Sequence, residues 1–211
     1  MSDLPKINKN DIIVSVAKSV GGIVPFAGNL ISEILEQGLK PRLTTGMDIW
    51  MRGVSKRLEN IEKDSSEIII SRLSNNEEFI SILIEASQRA MKTHLPERRL
   101  ILQNIIINSL KEKYTFEDQT LFLTYLDRLS EAHIVILNYL NENCKFIKGE
   151  IKKGYESREI NELVTPKNSN ISYQLQQELS NLVFIDFTTI ENKGYPYLSS
   201  YGKEFYEYIL T

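Results

Sequence analysis

Along most of the chain, apolar residues recur at the three-to-four-residue spacing of helices facing a core. Only near the C-terminus does the spacing become that of strands. Asn10 precedes residues 11–20 with N-cap chemistry and an acidic first turn, and Gly21-Gly22 stops that run. After Pro25 and Gly28, the positions Leu30, Ile31, Ile34 and Leu35 keep helical spacing until Gly38, so residues 11–38 read as a helical hairpin. Pro41 suits the first turn of a further helix, whose stripe runs through Ile49, Met51, Val54, Leu58 and Ile61 to Lys63. Gly46 and Gly53 are its weak points. Residues 65–73 contain Ile68-Ile69-Ile70, which fits strand or buried helix by pattern alone, and the helical neighbours favour helix.

The clearest helix follows Asn76, where Glu77-Glu78 supply an acidic first turn and Phe79, Ile82, Leu83, Ala86 and Ala90 fall on one face. Pro96 restarts the chain at a first helical position, and residues 100–110 are apolar nearly all round, as a central buried helix should be. Thr115 and Ser130 cap two more, with stripes through Phe122, Tyr125, Leu126 and Leu129, then Ile136, Leu137 and Leu140.

The texture then changes. Residues 145–170 are polar, with Gly149, Gly154 and a breaker cluster from Pro166 to Asn170, so a loop or loosely packed short helix is expected. Residues 171–181 read as a helix and 183–190 as a β-branched and aromatic strand. Asn192-Lys193-Gly194 reads as a hairpin turn, and 195–198 as the returning strand. Ser199 or Ser200 caps a last helix to Leu210. This order, preceded by the helix at 130–143, is that of a winged helix-turn-helix. The expected fold is mainly α: a helical body over residues 1–129, and a small winged-helix-like α+β unit over 130–211.

Composition narrows the class of protein. The chain is 42% hydrophobic and 25% charged, enough apolar material for a packed core. Cys144 is its single cysteine, so no intrachain disulfide forms, and no secretory signal is visible, which makes the cytoplasm the expected compartment. The longest uncharged stretch of the N-terminal region is residues 19–32, short of the ~18 apolar residues that a membrane span needs.

The net charge of -3 is unevenly spread. Residues 40–57 hold five basic side chains against one acidic, and 89–113 hold six against two. From Tyr155 onward the balance reverses to four against eight. Arg42, Arg52, Lys56, Arg57, Arg89, Lys92, Arg98 and Arg99 are therefore the candidate contacts for an anion or nucleic acid. The presumed reading helix offers Tyr173, Gln174, Gln176, Gln177 and Glu178 without any lysine or arginine, and the wing adds Lys193, which argues against specific DNA reading. His94 and His133 stand far apart with no ligand spacing around them, and Cys144 lacks the surroundings of a thiol nucleophile, so neither a metal nor a cofactor is expected. The glycine-rich segment from Gly21 to Gly28 has no following Lys-Ser or Lys-Thr and follows no strand, so it fails as a phosphate loop. Its residues Ile23, Val24 and Phe26, with Ile31, are instead candidates for a partner or membrane contact, the latter only after rearrangement.

The helix from Asn76 to Thr93 precedes Leu137-Asn138-Tyr139-Leu140. Leu179-Ser180-Asn181-Leu182-Val183 comes next, and the run Leu198-Ser199-Ser200-Tyr201-Gly202-Lys203-Glu204-Phe205 comes last. In this order of features the chain resembles the bacterial abortive-infection alpha family, small helical proteins linked to phage defence. The last run is similar to the Leu-Thr-x-x-Gly-x-x-Phe ending common in winged-helix proteins. The resemblance implies a role in defence and carries no catalytic residues. The expected function is a non-enzymatic protein-interaction factor. The alternatives are a nucleic-acid-binding regulator using the basic body, or a membrane-active effector using the N-terminal hairpin.

Overall fold

The computed structural model describes residues 45–64, 73, 76–147, 150–153, 160, 169–190 and 193–210. The hairpin expected at residues 11–38, and nearly all of 65–73, lie outside them. Among the described residues the chain is mainly helical. Seven helices are accompanied by two antiparallel strand pairs, one of them near the C-terminus. Two compact units share the chain, Met1–Thr120 and Leu121–Thr211.

In the first unit, α1 (Thr45–Asp64), α2 (Glu77–Lys92) and α3 (Pro96–Asn108) pack together, α3 lying against both others. Local chemistry sets the starts. Asn76 Oδ1 accepts from Phe79 N–H at 3.0 Å, and Pro96 occupies a first-turn position where its missing N–H costs nothing. The core is Val54 and Leu58 of α1, Ile82, Leu83 and Ala86 of α2, and Leu102, Ile105 and Ile106 of α3, all buried. Each valine, leucine and isoleucine among them contributes about 1.5–3 kcal/mol by leaving water. The α1 stripe is shifted from the expected one: Trp50, Val54 and Leu58 point inward, whereas Ile49 is exposed. A spacing of four places Trp50 in line with Val54 and Leu58, and Ile49 falls about 100° away on the helix. Leu100 is likewise exposed, so α3 is not buried all round.

Helix α4 (Phe116–Arg128) crosses from one unit into the other. Its start is closed reciprocally, Asp118 N–H donating to Thr115 Oγ1 at 3.2 Å and Thr115 N–H to Asp118 Oδ2 at 3.1 Å. The second unit continues with α5 (Glu131–Asn143), β1 (Lys145–Ile147), β2 (Glu150–Lys153) and α6 (Ser169–Asn181). Strands β3 (Ile185–Ile190) and β4 (Lys193–Leu198) and helix α7 (Ser200–Leu210) complete it. The β1–β2 pair corrects the loop expected after Asn143: Phe146 faces Ile151 and Ile147 faces Glu150 across an antiparallel ladder. Lys193 and Gly194, expected in the hairpin turn, instead belong to β4 and pair with Ile190 and Thr189.

An aromatic cluster forms the second core. Phe184 stacks on Phe205 with centroids 4.2 Å apart, and Phe122 meets Phe205 edge-on at 5.4 Å. Ser199 is the cap of α7, its Oγ accepting from Gly202 N–H at 2.8 Å. Helix α6 ends in a Schellman turn, Phe184 N–H reaching the Leu179 carbonyl and Val183 N–H the Ser180 carbonyl, with both Leu179 and Phe184 fully buried.

Candidate functional site

Tertiary contacts divide the candidate cations of the first unit. Arg57, half-buried on α1, donates from Nη1 to Asn104 Oδ1 of α3 at 2.6 Å, and burial pulls its guanidinium below the ordinary value. Arg89 is tied to Glu85, one turn earlier on α2, at 3.0 Å. Arg99 Nε donates to the Ala90 carbonyl at 3.4 Å, while the Arg99 carbonyl accepts from the Trp50 indole at 2.9 Å. Arg98 is half-buried beside it. Arg52, Lys56 and Lys92 stand exposed, as does His94. Arg42 lies outside the described residues, as do Ile23, Val24, Phe26 and Ile31.

On α6 of the second unit, Tyr173, Gln174 and Glu178 are exposed and Gln177 is partly so. Gln176 is fully buried and cannot reach a base edge. Lys193 is exposed on β4. The helix thus presents neutral and acidic side chains, a poor match to a phosphate backbone.

Ser130, His133 and Glu178 meet where α5 begins. His133 is buried, and its Nδ1 accepts from Ser130 N–H at 3.0 Å and lies 2.8 Å from Ser130 Oγ. These partners put the ring proton on Nε2, which stands 3.0 Å from Glu178 Oε2, at ion-pair distance but not aligned as a hydrogen bond. Burial pushes the imidazole below its ordinary value of 6.5, while the Glu178 carboxylate pulls the other way and offsets part of the drop. His133 takes the place usually held by Glu or Gln in a capping box, so the group is a helix cap tied to α6. Cys144, half-buried, closes the far end of α5, its N–H donating to the Leu140 carbonyl at 2.9 Å. Among the described residues, no three His, Cys, Asp or Glu side chains gather as metal ligands. No described helix is long and apolar enough to cross a membrane.

Two features escape the sequence pattern. Val183, with φ 62°, adopts the left-handed backbone normally left to glycine, and its side chain is 59% exposed. It stands at the junction of α6 and β3, where a strand was expected. The other feature is a set of exposed aliphatic side chains in the first unit, Ile49, Met91 and Leu100. A scattered exposed aliphatic residue is ordinary, so only its neighbours can give it meaning. No protein-family model, curated protein or solved structure matches the chain.

Proposed function

We propose that this chain is a non-enzymatic protein-interaction factor of the abortive-infection alpha type, acting in bacterial phage defence. In this reading the C-terminal unit is winged-helix-like and carries partner surface. The element order α5, α6, β3, β4, α7, with α5 against α6 and β4, supports the winged reading.

Val183 carries the partner reading. A left-handed conformation costs a residue with a β-carbon roughly 1–2 kcal/mol, and a β-branched one is a pronounced outlier. An exposed valine recovers little of that through burial within the fold. Strain of this kind concentrates at functional positions, and an exposed aliphatic side chain on a rigid turn suits burial against another protein. Among the described candidate cations Arg52, Lys56 and Lys92 are exposed, Arg52 with an interaction of its own, while Arg57, Arg89 and Arg99 bond within the fold, and Gln176 is buried, which leaves the nucleic-acid alternative less support.

A photo-crosslinking residue at position 183, expressed in the host cell, should give a discrete protein adduct, whereas the same probe at exposed Asp127 should report only background. A nucleic-acid adduct at 183, or no adduct at all, would overturn the proposal.

A further inference from the structure

Backbone bonding along the C-terminal hairpin alternates. Ser199 N–H donates to the Phe184 carbonyl at 3.0 Å, which makes these two a hydrogen-bonded pair just beyond the ladder of β3 and β4. Along the unbroken register, Asp186, Thr188 and Ile190 therefore turn their N–H and C=O groups toward β4, whereas Ile185, Phe187 and Thr189 turn theirs away from it. Ile185 is fully buried, but Phe187 is half-buried and Thr189 exposed. Among the described residues, no hydrogen bond from outside the hairpin reaches Phe187 or Thr189.

The two edges of the hairpin are unequal. Pro196 stands opposite Phe187 in a pair without mutual bonds, so its missing N–H falls on the outer side of β4 and blocks strand addition there. Strand β3 has no such guard: its six residues include no proline, glycine or lysine, its register has no bulge, and Asp186 is its one charge.

From this edge we infer that two copies of the chain associate through β3, antiparallel about a twofold axis at Thr188, into a four-stranded sheet in the order β4, β3, β3, β4. In that register Phe187 of each copy faces Thr189 of the other, and the two exchange both backbone bonds, using only groups that already point outward. Thr188 faces its own counterpart, and threonine pairs and aromatic pairs with β-branched residues are favourable neighbours across a ladder. Asp186 falls opposite Ile190 of the second copy, about 14 Å from the other Asp186 at Cα, so no like charges oppose each other. Lys193, which has an interaction of its own, ends the same row and adds no repulsion, while Glu191 lies outside the described residues. A twofold at Phe187 instead would need the buried backbone of Ile185 and would bring the Asp186 pair closer. The edge is distinct from the turn at Val183, so self-association and capture of a partner at that turn stand or fall separately.

Sedimentation equilibrium of the whole protein, followed to millimolar concentration, should show a mass rising from 24.3 kDa toward twice that value. Thr189→Pro deletes an outward N–H on each copy without touching the bonds to β4, and should weaken association about tenfold while the circular-dichroism melt of dilute protein matches the parent. Thr188→Cys in a Cys144→Ser chain should form a disulfide-linked dimer under mild oxidation, because opposed residues without mutual bonds stand about 4.5 Å apart at Cα, within disulfide reach. Asp186→Cys in the same background should not. If the proline variant melts early, the cysteine variants decide. A mass that stays at 24.3 kDa throughout overturns the proposal, and if the probe at position 183 still gives its protein adduct, it overturns self-association alone. A dimer that a well-folded Thr189→Pro leaves unchanged, or that Asp186→Cys links as readily as Thr188→Cys, overturns it as well, since the contact then lies elsewhere.

Discussion

The carbonyl oxygen of Phe184 occupies the space that a β-carbon on Gly202 would need. The approach is close because the same carbonyl accepts from Ser199 N–H at 3.0 Å, drawing the first turn of α7 onto the end of α6. Gly202 N–H in turn donates to Ser199 Oγ, so the glycine serves both the cap and the contact.

Gly202→Ala therefore forces backbone apart beneath the Phe184–Phe205 stack, and no flexible side chain can yield instead. A loss of about 2–3 kcal/mol is expected, at the upper end of overpacking costs. Gly53 provides the control. The atoms nearest a β-carbon there belong to the flexible side chain of Gln103, and alanine gains about 1 kcal/mol of helix propensity over glycine, so Gly53→Ala should stay within about 1 kcal/mol of the parent. Urea melts of the two variants separate the cases, and equal losses would remove the close-approach argument.

Val183→Gly should raise stability by about 0.5–1 kcal/mol. Relief of the left-handed strain outweighs the entropy of an added glycine in the unfolded chain, and little burial is lost from an exposed side chain. Val183→Ala keeps the strain and should gain nothing. A destabilised glycine variant would show that the valine side chain packs within the fold, which removes the ground for a partner at this turn.

What was legible in the chain, and what was not, follows from the range of the forces involved. Asn76, Pro96, Thr115 and Ser130 start helices through partners within three residues or through their own ring, and those starts fall where the pattern put them. The β1–β2 pair was missed because Lys145–Ile147 and Glu150–Lys153 are short and charged, and their ladder comes from each other rather than from alternation. Val183 was hidden because the Schellman turn normally announces itself with glycine. In the first unit the cations were legible as residue types. Which of them turn inward was not, since Asn104 and the Ala90 carbonyl reach Arg57 and Arg99 only after α1, α2 and α3 have packed.

Stability should depend on pH through His133. Because burial dominates, the folded imidazole loses its proton below 6.5, while the unfolded one does so near 6.5. Between those values the unfolded chain binds a proton that the folded chain does not, so stability rises with pH across that window. The contribution is complete above about 6.5 and is lost as pH falls from there through the folded value. Protonation also sets an Nδ1–H against Ser130 N–H, two donors face to face. Glutamine at this position is a standard capping-box partner, so His133→Gln should melt close to the parent at pH 8 and lack its decline near pH 6. Glu178→Gln should extend the decline to lower pH, because the group that raises the imidazole value is gone. Parallel pH profiles for the parent and His133→Gln would exclude His133 as the source.

The cations of α1 should separate in the same way, by structural role. Arg57→Ala removes the charged donor to Asn104 Oδ1 and exposes a half-buried niche between α1 and α3, a loss of about 1.5–3 kcal/mol. Lys56 is the next residue but faces solvent, so Lys56→Ala should change stability by no more than about 0.5 kcal/mol. The pair also probes the nucleic-acid alternative. A polyanion bound by this face would lose affinity in Lys56→Ala without loss of fold, uniformly across sequences, and its salt slope would fall by about one. Arg57→Ala would lose stability first, and any binding change would track the unfolded fraction. If instead Arg57→Ala melts like the parent and weakens binding alone, the bond to Asn104 is not structural, and Arg57 returns to the list of candidate contacts.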